Sequence, residues 1–157
     1  MPAAAEFAAP RRRPRTVAQV ETLLAVLEAA NRLEREVTEL LKTADLTTAQ
    51  FNVLRILRGA GPGGVTCGQV ASRLVRHDPD VTRLLDRLDR RGLIERQRDG
   101  RDRRIVRTHI TKKGLDVLSA LDAPVDALHE RQFGHMSGTD LESLRGLTET
   151  LVARQPG

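Results

Sequence analysis

The side chains in this sequence that are best suited to binding a charged ligand are arginines, and they are concentrated between Arg73 and Arg107. That segment holds 12 Arg against 7 Asp or Glu, so its net charge of +5 equals that of the whole chain. A guanidinium group binds phosphate or carboxylate oxygens through paired, charge-assisted hydrogen bonds. The concentration therefore predicts a surface that binds a polyanion rather than a site that catalyses a reaction.

A predicted helix positions several of these charges. Its apolar residues follow the spacing i, i+3, i+4 and i+7 of one helix face: Val81, Leu84, Leu85 and Leu88. The opposite face carries Thr82, Arg83, Asp86, Arg87 and Arg90. We expect Asp78 to cap this helix, Pro79 to occupy its first turn and Gly92 to end it. Taken alone, such a face is also typical of a solvated helix with pairs such as Asp86–Arg90, each worth ~0.3–0.5 kcal/mol.

A basic β-hairpin follows the helix and favours the polyanion. Two short β-like runs, Leu93–Arg98 and Arg104–Ile110, are joined by the loop at residues 99–103, which contains Arg101 and Arg103. A thin loop with two exposed arginines beside an arginine-bearing helix suits an extended anionic polymer better than a small substrate.

The composition excludes several other classes of function. Three Phe and no Trp or Tyr argue against RNA or single-stranded DNA, whose bases stack on aromatic side chains. One Cys excludes an intrachain disulfide and, with no apolar run long enough to span a membrane, predicts a cytoplasmic protein. No local motif pairs a nucleophile with a base, and the His residues lack metal-ligand spacing. We therefore predict no enzyme activity, cofactor, metal or membrane partner.

Helical segments surround the basic module. A long helix is predicted over Val17–Lys42, and capping boxes start two shorter ones at Thr47 with Gln50 and at Thr66 with Gln69. Downstream of the hairpin, Thr111 is expected to cap a helix that Pro124 kinks, and Ser137 with Asp140 opens a last helix.

These elements predict a mainly α protein with a small β-hairpin wing, organised as a winged helix-turn-helix domain flanked by N- and C-terminal dimerisation helices. We expect a disordered basic tail at 1–16, a dimerisation helix at 17–45, the DNA-binding domain at 46–111 and C-terminal dimerisation helices at 112–157. The apolar face of the first helix is too long for one small domain to bury, which is the reason for expecting a homodimer.

The pattern resembles the multiple-antibiotic-resistance regulator (MarR) family of transcription factors. The matching stretches are LTTAQFNVLRIL from Leu46, VTRLLDRLDRRGLIER from Val81, and Asp102-Arg103-Arg104 followed by Thr111 and Gly114. The resemblance covers nearly the whole chain from Val17 to Val152. It implies a homodimeric repressor of a pseudo-palindromic duplex operator, which many members release when a small lipophilic or phenolic anion binds.

The resemblance also implies roles for individual residues. Thr82, Arg83 and Arg87 would face bases or phosphates, Arg101 and Arg103 would lie near the wing tip, and Asp102 with Arg104 would hold the wing's shape. The complete set of candidate DNA-binding residues is Thr82, Arg83, Arg87, Arg90, Arg98, Arg101, Asp102, Arg103 and Arg104.

Some alternatives stay open at this point. Asp80 departs from a purely basic helix start; it either stabilises the helix N-terminus, which we favour, or accepts a hydrogen bond from a cytosine amino group. Cys67 lies on the apolar stripe of its helix, which favours a packed core thiol over a redox sensor. The scarcity of aromatic residues leaves the effector class open. A helical protein–protein adaptor is the other alternative function, although it would not need the basic wing.

Overall fold

The computed structural model describes residues 15–74, 80–100 and 102–153. Its helices are α1 (Arg15–Lys42), α2 (Thr48–Ala60), α3 (Cys67–Arg73), α4 (Val81–Arg90), α5 (Lys112–Phe133) and α6 (Gly138–Ala153), with a 3₁₀ turn at Gly61–Gly63. The strands β1 (Ile94–Arg98) and β2 (Val106–Ile110) form an antiparallel hairpin. The predicted fold class, mainly α with a hairpin wing, is confirmed.

Both predicted capping boxes are present. The Thr47 hydroxyl accepts a hydrogen bond from the Gln50 backbone N–H at 3.2 Å, and the Gln50 side chain accepts one from the Thr47 N–H at 3.0 Å. Thr66 and Gln69 repeat the arrangement at 3.3 and 2.9 Å. These reciprocal bonds satisfy N–H groups that a helix start leaves without intrahelical partners, so α2 and α3 begin where the sequence predicts.

The start of α4 differs from the prediction. Asp78 and Pro79 lie outside the described residues, and α4 begins at Val81 with Asp80 as its N-cap. The Asp80 carboxylate accepts a hydrogen bond from the Arg83 N–H at 3.1 Å, which places it at the helix end that favours negative charge. The predicted Asp78 cap is therefore wrong, because a second capping acid two residues later takes that role. The helix-end role favoured for Asp80 is confirmed.

The described chain divides into two compact units, of which the first ends at Arg35 and the second begins at Glu36. The core of the second unit is aliphatic apart from Phe51, and its most deeply buried side chains include Leu41, Leu54, Leu57, Leu85, Leu88, Leu93, Ile94 and Leu118. The predicted subdivision at residues 45/46 and 111/112 stays a prediction.

The hairpin is joined to the segment that precedes α3. Ile94 pairs with Ile110 and Arg98 with Val106, and an additional bridge connects Val65 to Thr108. The Val65 N–H donates to the Thr108 carbonyl at 3.0 Å, and the Thr108 N–H donates back at 2.8 Å. The two-stranded wing is therefore anchored at its base through Val65 and the buried Thr108.

The second strand begins later than the sequence predicts, at Val106 rather than Arg104. Asp102 is the reason. Its carboxylate accepts a hydrogen bond from the Arg104 N–H at 2.9 Å and its carbonyl accepts one from the Ile105 N–H at 3.0 Å. These bonds fold Arg104 and the Ile105 N–H into a turn, so that Ile105 contributes only its carbonyl, which accepts a hydrogen bond from the Asp99 N–H at 2.9 Å.

The turn from β2 to α5 requires glycine at position 114, because the start of α5 lies close against the hairpin. The Thr111 hydroxyl accepts a hydrogen bond from the Gly114 N–H at 3.1 Å and donates one to the Gly92 carbonyl at 2.7 Å, which confirms Thr111 as the cap of α5. A Cβ at Gly114 would overlap the Leu93 carbonyl oxygen and the Ile110 side chain. Glycine thus lets α5 begin directly against the hairpin.

Two predictions about the C-terminal helices are partly tested. Pro124 lies inside α5, which runs from Lys112 to Phe133, and the kink expected there stays a prediction. Ser137 and Asp140 open α6 as expected, with a 2.6 Å bond from the Ser137 hydroxyl to the Asp140 carboxylate. Hydrogen bonds from the Ser137 side chain and backbone hold the pKa of Asp140 below its usual range. None of the residues of α6 is buried.

Candidate nucleic-acid interface

Helix α4 separates apolar from charged side chains as its sequence predicts. Val81, Leu84, Leu85 and Leu88 are buried in the core. The predicted contact residues are exposed: Thr82, Arg83, Arg87 and Arg90. The buried face fixes the rotation of the helix about its axis, and this rotation turns the guanidinium groups towards solvent.

The exposed arginines of α4 differ in how strongly they are held within the chain. The Arg83 Nε lies 3.4 Å from a carboxylate oxygen of Asp80, and both side chains are well exposed. The Arg90 Nε donates to the Asp86 carbonyl at 3.4 Å. Arg87 forms no ion pair with any residue that the structure describes. Exposed pairs are weak and easily exchanged for a stronger anionic partner, so all three groups can turn to a polyanion.

A cleft of about 640 Å³ lies beside α4, where the end of α1 and the start of α2 approach it. Four of its lining residues are basic: Lys42, Arg87, Arg90 and Arg91. Arg91 is held by the loop before α2, since its guanidinium donates to the carbonyls of Asp45 and Ala44. The cleft combines these cations with the apolar side chain of Leu46 and has a size common among small-molecule sites.

The wing presents further basic residues at its tip and edge. Arg98, Arg103 and Arg104 are exposed, whereas Arg101 lies outside the described residues. A 2.6 Å ion pair between the Arg107 Nε and an Asp99 carboxylate oxygen joins the two ends of the wing loop. This pair and the Asp102 turn hold residues 102–107 beside Asp99, and Arg103 and Arg104 project from that segment.

Sequence reasoning missed Arg96, which connects the wing to α4. Its Nη2 lies 2.7 Å from an Asp86 carboxylate oxygen and donates to the Thr82 carbonyl at 3.4 Å. The sequence signal that could have identified Arg96 is the alternation of the two faces along β1. Arg96 is two residues from the buried Ile94 and therefore shares its face, which turns towards α4.

The expectation that Cys67 is a packed core thiol is wrong. Cys67 is the first residue of α3 and is exposed, while Val70 one turn later is fully buried. The apolar spacing correctly places Cys67 on the same side of α3 as Val70. The core, however, does not reach the first residue of the helix, so Cys67 stays exposed. The Cys67 sulfur lies 3.9 Å from the Thr82 hydroxyl oxygen of α4.

The remaining findings concern other kinds of site. Among the residues that the structure describes, no group of three or more His, Cys, Asp or Glu side chains is arranged to hold a metal ion. Within the same ranges, none of the helices is both long and apolar enough to cross a bilayer.

Comparisons with known proteins agree with this geometry. Residues 44–105 match the model of the MarR family. A crystal structure of a MarR transcription factor from Planctomyces limnophilus is similar at 38% identity and a TM-score of 0.65, over 83% of this chain and 94% of that one. A mutant MarR from Escherichia coli in complex with operator DNA aligns over 88% and 99% of the two chains, with 24% identity and a TM-score of 0.75.

Curated relatives match over part of their length. The uncharacterized HTH-type transcriptional regulator YkoM of Bacillus subtilis is 34% identical over 96 residues, which are 60% of each protein. The alignments with the next two such regulators cover 63% and 66% of their lengths.

Proposed function

The chain belongs to the MarR family of transcriptional regulators, and from that premise we propose that it is a cytoplasmic homodimeric repressor of a pseudo-palindromic duplex DNA operator. The observation that carries this proposal is the pairing of an arginine-bearing exposed face on α4 with an arginine-bearing wing. An α-helix fits the major groove of B-DNA, and a thin loop can enter the minor groove. The Escherichia coli relative was crystallised with operator DNA, which supports the same ligand here.

The dimer is supported by apolar surface that one chain leaves exposed. In the first unit, the exposed large apolar side chains of α1 are Val17, Val20, Leu23, Leu24, Val26 and Leu27. In α6 they are Leu141, Leu144, Leu147, Leu151 and Val152. Apolar stripes of this length are unusual on monomeric proteins and are typical of subunit interfaces. Two copies would present their α4 helices to half-sites about 10 bp apart.

Release from DNA by a small effector completes the proposal. The basic cleft beside α4 supports an anionic effector with a lipophilic body, because its four cations outnumber its one acid, Asp45, and Leu46 adds apolar surface. Arg87 and Arg90 belong both to this cleft and to the DNA-facing side of α4, so an anion bound there would compete with phosphate. A thermal-shift screen of lipophilic carboxylates, followed by a DNA-release assay, tests this part; a protein whose DNA affinity no such ligand alters contradicts it.

The helix and the wing are expected to contribute differently to DNA binding. Replacing Arg83 with Ala should cost ~1–3 kcal/mol on the operator and relax the preference at one base pair, because a guanidinium can bond a guanine edge through two hydrogens. Replacing Arg103 with Ala should weaken all sequences evenly. It should also lower the slope of log K against log salt by about 1 per lost phosphate contact, about 2 per dimer.

Titrations of each variant against a duplex selected by the wild-type protein and against a scrambled duplex measure these effects. Arg103→Ala serves as the control for loss of one positive charge without loss of base reading. If Arg83→Ala leaves the ratio of the two affinities unchanged, Arg83 binds phosphate only.

A redox-sensing regulator is the second candidate, and the position of Cys67 favours it. Its exposed sulfur lies beside Thr82, a predicted DNA-contacting residue, so oxidation or thiolation would place new bulk at the DNA face. We expect Cys67→Ser to change the free energy of unfolding by less than ~0.5 kcal/mol and to keep the protein on its selected duplex during peroxide treatment. Peroxide release that is equal in wild type and variant assigns the response to other residues.

A further inference from the structure

Helix α4 carries two acidic side chains where DNA phosphates would approach, because Asp86 and Asp89 line the same open groove as Arg83, Arg87 and Arg90. Asp86 is the one that a residue of the wing contacts. In isolation its carboxylate would repel phosphate. It would also compete for Arg83 and Arg90, which are three and four residues away on the helix and thus within reach of an ion pair.

Arg96 of the wing pairs with this carboxylate. Its guanidinium lies 2.7 Å from the Asp86 carboxylate, and the same nitrogen donates to the Thr82 carbonyl one turn earlier in α4. The Arg96 side chain is 28% exposed and that of Asp86 48%, so the pair is partly shielded from solvent and less screened than a surface pair.

One atom of Arg96 indicates that the residue does more than stabilise the fold. Its Nε is buried and has no hydrogen-bond partner among the residues that the structure describes. A buried donor without a partner costs free energy. An apolar side chain of similar length would remove that cost, so stability alone is a weak reason for an arginine at this position.

We propose that Arg96 is a positioning residue for DNA recognition, which holds the Asp86 carboxylate against the wing and cancels its charge so that Arg83 and Arg90 remain available to DNA. The inference rests on the proposed function. It deepens that function by naming an intramolecular contact, the Arg96–Asp86 ion pair, that determines sequence specificity without touching a base. It also makes the wing and α4 act together, because a residue of β1 sets the charge that α4 presents.

The experiment is a double-mutant cycle with Arg96→Met, Asp86→Asn and the double variant. The probes are a duplex that the wild-type protein selects from a random pool and a scrambled duplex of equal length. Arg96→Met should lower the ratio of the two affinities about tenfold, because uncompensated Asp86 displaces base-contacting arginines. Asp86→Asn should leave the ratio near that of wild type. The double variant should match Asp86→Asn to within about twofold, because no carboxylate remains to be masked.

Arg58→Met is the matched control. It breaks another arginine–aspartate pair, between Arg58 and Asp122, whose 2.9 Å distance and partial exposure are similar and which joins α2 to α5. This variant should keep the wild-type ratio. Thermal melting of all variants separates a positioning role from a structural one, since Arg96→Met should melt near wild type.

Each other outcome has a defined meaning. An unchanged ratio in Arg96→Met, or no recovery in the double variant, overturns the inference. A ratio that falls in Asp86→Asn also overturns it, since Asp86 would then read a base itself. If Arg96→Met does not fold, Arg96→Gln, which is also neutral, replaces it, and a wild-type ratio in that variant overturns the inference. A wild-type protein that selects no sequence from the pool refutes the proposed function instead.

Discussion

Replacing Leu24 and Leu27 together with glutamate is expected to convert the protein into a monomer and to weaken binding to the selected duplex by about 100-fold or more. These side chains are 60% and 50% exposed in the single chain and lie in the middle of the apolar stripe of α1. Two carboxylates there would have to lose water within an interface, which costs more than the interface gains. A monomer can engage only one half-site and so loses the advantage of simultaneous binding.

Sedimentation at micromolar concentration and titration with the selected duplex measure the two effects. Ala25→Glu with Ala29→Glu is the matched control, because it adds the same charge about one turn apart on the other side of α1. That variant should remain dimeric. A dimer that persists with glutamate at both leucine positions would place the interface elsewhere.

Gly114→Ala is expected to lower the free energy of unfolding by about 2–3 kcal/mol. The new methyl group would overlap the Leu93 carbonyl oxygen, and that carbonyl cannot turn aside without breaking its 3.1 Å bond from the Thr111 N–H. Relief would require α5 to move away from the hairpin, which would open the core.

Chemical denaturation gives the free energy, and Gly59→Ala is the control. Gly59 also lies in a helix, but a Cβ built there meets no atom within 4 Å. That substitution should raise stability by ~0.5–1 kcal/mol through the higher helix propensity of alanine. Equal stability of Gly114→Ala and wild type would mean that α5 adjusts freely.

The sequence predicts those features that neighbouring residues determine. The buried face of α4 and the capping boxes at Thr47 and Thr66 were predictable because each depends on residues within two turns. The cap of α4 was mispredicted because two acids, Asp78 and Asp80, both satisfy the local rule. Only the folded chain distinguishes between them.

Features that depend on contacts between elements were not predictable. Cys67 fits the apolar spacing of α3, yet its exposure depends on where the core ends. Arg96 is ten residues from Asp86 in sequence, and the two meet only because the hairpin folds back onto α4. The start of β2 depends on the Asp102 side chain, whose bond to the Arg104 N–H replaces strand pairing with a turn.

The bridge between Val65 and Thr108 has a consequence for operator architecture. It fastens the hairpin to the segment that leads into α3, and the Arg96–Asp86 ion pair fastens the hairpin to α4. Helix α4 and the wing are therefore expected to move as one rigid body. Such a body cannot adapt its wing to a half-site that is displaced along the duplex. Each added base pair between half-sites rotates them by about 34–36° relative to one another, given 10–10.5 bp per turn. The protein should therefore measure spacer length strictly while tolerating changes of sequence within the spacer.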